Sequence, residues 1–186
     1  DNNEILQMGE YFIKQSKQYK KTCDQHGIKF IDTSDNIEIT LTEYIKQEFS
    51  VAFLDLESGW KKETVRYLDA SDLIVVVLPQ NPLCWEQYFT EEVNNFTEKN
   101  VVYLIGGYLE KSRYNTKLFL KKRRGNVQGT LAGVIPMNVG FLDAMADGRT
   151  LDFLLRNQLS KKNEENYEFI LETKKAMNNS SLFLLG

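Results

Sequence analysis

An acid that ends an apolar run is the first place in this chain where chemistry could sit. In VAFLDLESG (51–59), Asp55 closes the run and Gly59 follows four residues later. A strand covered on both faces reads as continuous apolar residues. In open α/β sheets, ligands bind beyond the carboxyl ends of such strands. Asp55 falls at that end, and Gly59 leaves the next loop free to approach a ligand closely. One carboxylate with several waters is a common way to hold Mg²⁺. The competing account makes Asp55 a strand-end acid that caps the following turn. Glu57 is either a group that polarises water or a solvated loop acid.

Other reactive residue types offer less. His26 is the only histidine and is followed by Gly27, so it suits the C-terminal turn of a helix. A zinc site has little to draw on, with one histidine and two distant cysteines, Cys23 and Cys84. Both cysteines read as reduced thiols with a packing role. Asp72 precedes an apolar run and reads as a turn residue. Lys117, Lys121, Lys122, Arg123 and Arg124 form a basic cluster. They suit either nucleic acid or an acidic membrane surface, or the solvated C-terminus of a helix, where cations meet the negative end of the dipole.

The whole chain limits what these residues can belong to. With 186 residues, 42% hydrophobic and 26% charged, it is expected to be one globular domain with a proper core. A net charge of −3 argues against wholesale nucleic-acid binding. No apolar run approaches the ~20 residues a membrane span needs. The chain shows no signal peptide, so a cytoplasmic location is expected. The apolar tail SSLFLLG is expected to pack back onto the domain, the alternative being a membrane or partner anchor.

Elements to position the acid follow from the hydrophobic pattern. Residues 4–25 have helical spacing at Phe12, Ser16, Tyr19 and Cys23, stopped by Gly27. Ile28 to Ile31 is a short strand, and Thr40 to Glu43 opens a short helix with a capping box. After the strand at Val51, Lys62 to Leu68 is helical. Leu73 to Leu78, LIVVVL, is a strand stopped by Pro79-Gln-Asn-Pro82. Asn81 caps a helix running to about Thr97, with Trp85, Tyr88, Phe89, Val93 and Phe96 inward. Val101 to Ile105 is a strand ended by Gly106-Gly107. A basic helix spans about Asn115 to Arg123. Leu131 to Ile135 is a strand ended by Pro136. Ala144 to Asn157 is mostly helix, broken near Gly148, and Glu164 to Met177 is a closing amphipathic helix. Strands separated by ~20–30 residues with helices between them predict βαβ units. The expected fold is therefore α/β, a mainly parallel sheet with helices on both faces.

The segments DLESG, ET..YL..SDLIVVVLPQNP, VVYLIGG and GVIPMN.GF.DA...G occur in an order that resembles the MinD/ParA family of deviant-Walker ATPases, and IKFIDTS resembles the strand before that family's Walker B strand. The resemblance covers nearly the whole chain through order and spacing, with no single specific motif. It implies a three-layer P-loop NTPase fold of the SIMIBI kind. It also implies a cytoplasmic ATP-binding switch that dimerises with nucleotide, or meets a partner protein, to position a cellular assembly. On this reading Asp55 is the Walker B acid that holds Mg²⁺ through water. Gly59 is the switch glycine near the γ-phosphate, and Pro136 and Asn138 lie near the nucleotide base.

Three features differ from the family pattern. No Gly-Lys-Thr or Gly-Lys-Ser occurs, so the phosphate loop with its strand and helix is expected to come from elsewhere, and the chain alone is not expected to hydrolyse ATP. Gly106-Gly107 stands where the family often has Asn and a basic residue, and Glu57 where it has a proline or small residue. These differences support an alternative, a non-catalytic relative that acts as a docking or scaffolding module.

Overall fold

The computed structural model describes Leu56 and residues 67–91, 100–123 and 129–182. The strands expected at 28–31 and 51–55, the helices expected over 4–25 and 40–47, and the apolar tail from Phe183 lie outside the described residues. So does most of the helix expected at 62–68; its described residues, 67 and 68, are helical, and the helix continues to 70. The described residues fall into two compact units, 139–159 in one and the remainder in the other.

The larger unit is built on three parallel strands in sequence order, β1 (Leu73–Pro79), β2 (Asn100–Tyr108) and β3 (Thr130–Pro136). Each is a β-branched or apolar run, as a pleated and covered surface favours. Helix α1 (Pro82–Glu91) joins β1 towards β2, and α2 (Thr116–Lys122) joins β2 towards β3. Side chains decide where both helices start. The Asn81 Oδ1 accepts from the Leu83 N–H at 3.0 Å, ahead of Pro82 at the first helical position. The Asn115 Oδ1 accepts from the Leu118 N–H at 3.2 Å. The expected continuation of α1 to Thr97 lies outside the described residues.

Both faces of the sheet carry helices. On one face Ile74, Leu78, Val101, Tyr103 and Ile105 pack with Trp85 and Tyr88 of α1 and Phe119 of α2. Aromatic rings meet edge to face there: Trp85 and Phe119 at 5.2 Å between centroids, Phe89 and Tyr103 at 5.6 Å. Such pairs add about 0.5–1.5 kcal/mol each to the burial of the rings. On the other face Val102, Leu104 and Ala132 pack with Ala176 of a long helix, α5 (Tyr167–Ser181). This helix runs antiparallel to β3. Near its start the Asn166 side chain meets Asn138, and near its end the Asn179 Nδ2 donates to the Ala132 carbonyl at 2.7 Å.

An irregularity in β3 sets how closely α5 approaches. The β2–β3 register shifts between the Tyr103–Leu131 and Leu104–Gly133 pairs. One extra residue in a strand changes which face the following residues present. Ala132 and Gly133 are both turned towards α5 as a result: a Cβ on Gly133 would lie 2.8 Å from the Ala176 Cβ.

Two expected boundaries are corrected. The second strand does not stop at Gly106 but runs to Tyr108, with Gly106 opposite Pro79 and Tyr108 opposite Pro136. Gly107, at φ 62°, takes up a second register shift there, a conformation a side chain would resist. The helical stretch expected over 144–157 starts earlier, at Val139, and its expected break near Gly148 divides it into two helices.

These two helices make up the described part of the smaller unit, α3 (Val139–Ala146) and α4 (Thr150–Asn157). The break is a Schellman cap. Gly148, at φ 67°, donates its N–H to the Met145 carbonyl at 3.1 Å, and the Arg149 N–H reaches back to Ala144 at 2.7 Å. Phe141 and Phe153 hold the pair together, ring centroids 5.8 Å apart.

Candidate ligand crevice at the carboxyl ends of the strands

Parallel strands in register present their carboxyl ends side by side, and here Pro79, Tyr108 and Pro136 are the last residues of β1, β2 and β3. The segments leaving the three strands form the rim. After β1, the Gln80 carboxamide is fully committed to the β2–α2 loop. Its Oε1 accepts the Leu109 N–H at 2.9 Å, and its Nε2 donates to the carbonyls of Tyr114 at 2.7 Å and Leu109 at 3.2 Å. The Trp85 indole N–H donates to the Pro79 carbonyl at 2.6 Å, tying the strand end to α1.

After β3, the Met137 N–H donates to the Tyr108 carbonyl at 2.9 Å, continuing the ladder one residue past Pro136. Asn138 comes next, half-buried, and its Nδ2 donates to the Asn166 Oδ1 at 2.9 Å. The β2–α2 loop brings charge to the same end of the sheet. It carries Glu110, Lys111 and Arg113, all exposed. The Arg113 guanidinium lies over the Tyr114 ring, 4.8 Å from its centroid.

Pro136 and Asn138 therefore lie at the carboxyl end of the sheet, both half-buried. Asp55, Gly59 and Glu57 lie outside the described residues. Among the described residues no group of three His, Cys, Asp or Glu could hold a metal ion. Asp72 is exposed at the opposite end, just ahead of β1, in keeping with a turn residue. Cys84 is a half-buried free thiol in the first turn of α1.

The basic cluster is divided by the fold. Because α2 runs back against the strands, Lys117 starts it and Lys121 and Lys122 end it, away from the strand ends. The Lys122 Nζ contacts the Glu86 Oε2 at 2.9 Å, and the Arg123 guanidinium donates to the Gly129 carbonyl. Lys121 is exposed, and Arg124 lies outside the described residues. Beside the Lys122–Glu86 pair is a hollow of about 140 Å³, lined by Glu86, Phe89, Thr90 and Lys122. It sits between α1 and α2, far along both helices from the strand ends, so it is not part of the crevice.

One buried group shows a shifted proton affinity. Burial pushes the Tyr103 hydroxyl above the usual tyrosine value, against a hydrogen bond with Tyr88 and the charge of Arg123, which both pull it down. Tyr103 sits in the aromatic layer under α1 and α2 and is a core residue.

Sequence reasoning missed Gln80 and Asn166. Gln80 reads as part of a strand stop, PQNP, and nothing in that string says that its amide will reach a loop 29 residues on. The crevice rim is thus made of main-chain groups and neutral carboxamides, with the loop charges beside them. Both carboxamides are already bonded within the chain. No helix among the described residues is long and apolar enough to cross a membrane. No protein-family model, no curated protein and no solved structure matches the chain.

Proposed function

We propose that this chain is a nucleotide-binding switch module similar to MinD/ParA proteins, with the nucleotide at the carboxyl ends of β1 to β3. The observation that carries the reading is the row of three parallel strand ends with Pro136 and Asn138 at the rim. Ligands of α/β sheets collect at such ends because loops there diverge and leave room. In this proposal Pro136 and Asn138 flank the base. Asp55 orders water around a Mg²⁺ bound to the phosphates, and Gly59 lets the following loop respond to the γ-phosphate. Phosphoryl transfer in such proteins relies on metal and lysine charge plus an oriented water. The present chain contributes the metal acid and the loop, so its role is binding and switching through nucleotide-dependent dimerisation.

Hydrogen exchange of the full chain with and without Mg·ATP tests this. The expected result is slower exchange over 105–109 and 134–138, with the Mg²⁺-dependent part lost in Asp55→Asn. Unchanged exchange at those positions at millimolar Mg·ATP would remove the proposal.

One specific observation favours a second reading, a docking or scaffolding module on the same fold. The Gln80 and Asn138 carboxamides are already bonded within the chain, to the β2–α2 loop and to Asn166. Amides so engaged are fixed struts, and reading a base with them means breaking those bonds first. Sedimentation separates the two readings: a dimer that forms only with Mg·ATP belongs to the first, an association indifferent to nucleotide to the second.

A further inference from the structure

We draw no further inference here: the strongest candidate, the exposed apolar face that Val75 and Val77 of β1 present on the α5 side of the sheet, carries nothing because nothing in the structure shows what covers it.

Discussion

The Gln80 carboxamide pairs with the main chain of Leu109 in both directions, accepting its N–H at 2.9 Å and donating to its carbonyl at 3.2 Å. A third bond runs from the same amide nitrogen to the Tyr114 carbonyl at 2.7 Å. One side chain at the end of β1 therefore holds both ends of the loop that leaves β2. This makes the rim of the sheet a braced structure in which the exit of β1 and the exit of β2 move together.

Replacing Gln80 tests that brace. Gln80→Ala removes three hydrogen bonds, whereas Gln80→Glu keeps an acceptor for the Leu109 N–H but sets its other carboxylate oxygen against the carbonyls of Leu109 and Tyr114. At neutral pH Gln80→Glu is expected to lose more stability than Gln80→Ala, by about 1–2 kcal/mol, because one of its carboxylate oxygens faces two carbonyl oxygens with no proton between them. Protonating the new acid restores one O–H donor, so the deficit of Gln80→Glu should shrink as the pH falls through the carboxylate range. Urea unfolding midpoints at several pH values measure this. Equal midpoints for the two variants at every pH would contradict it.

Gly133 and Ala176 bring α5 close against the sheet. A methyl group at 133 would meet the Ala176 Cβ at 2.8 Å and its Cα at 3.0 Å. Backbone is on the receiving side, so the helix must shift. Gly133→Ala is expected to cost about 1–3 kcal/mol. Ala176→Gly in the same chain should recover part of that loss, offset by about 1 kcal/mol for glycine inside a helix. A double-mutant cycle on unfolding free energies reads the coupling. Additive losses would show that α5 does not press on β3 at this point.

Tyr103 makes the fold sensitive to alkali. Its hydroxyl is raised above 10.0 by burial, while in the unfolded chain it titrates at about 10. Above that value the unfolded state releases a proton that the folded state keeps, so it binds fewer protons and stability falls as pH rises. The contribution is fully present below pH ~10 and is lost as pH climbs through the folded value. Tyr103→Phe is expected to flatten the decline of unfolding free energy on the alkaline side. Its absorbance titration should also lack the late-ionising tyrosine. An unchanged alkaline slope in Tyr103→Phe would assign the decline to other groups.

The basic segment is expected to bind polyanions weakly. Lys122 is engaged with Glu86, and Arg123 with the Gly129 carbonyl, which leaves Lys117 near the start of α2 and Lys121 near its end as the exposed cations among the described members of the cluster. Each phosphate neutralised on duplex DNA contributes about −0.9 to the slope of log K against log salt. Anisotropy titrations with duplex DNA are expected to give a slope no steeper than about −2, and flotation with phosphatidylserine vesicles little bound chain. A steep slope abolished by Lys121→Glu would restore the cluster as an interaction surface.

A strand announces itself where its residues are β-branched and uninterrupted, so LIVVVL and VVYLI were legible, as was the strand before Pro136. The parallel arrangement came from the spacing, because helices of ten residues or so must return the chain before the next strand begins. Helix starts were legible wherever a side chain caps locally, as Asn81 and Asn115 do. The expectation failed at Gly106-Gly107. Glycine pairs read as strand breakers, yet cross-strand pairing with Pro79 and Pro136 carried β2 through them. Gly148 was legible as a break but not as a cap with two reverse bonds.

Composition and periodicity alone determined that this chain forms parallel strands with helices between them, because continuous apolar runs and helical apolar patterns are a local matter of spacing. They also located Pro136 at the end of a strand. Only the tertiary structure decided that Ala132 and Gly133 both face α5, that Lys122 pairs with Glu86, and that Gln80 braces a distant loop. Each of those depends on which segments meet in space. A hydrogen bond or a close methyl contact acts over ångströms, and residues 29 to 47 positions apart reach that range only after the sheet has formed.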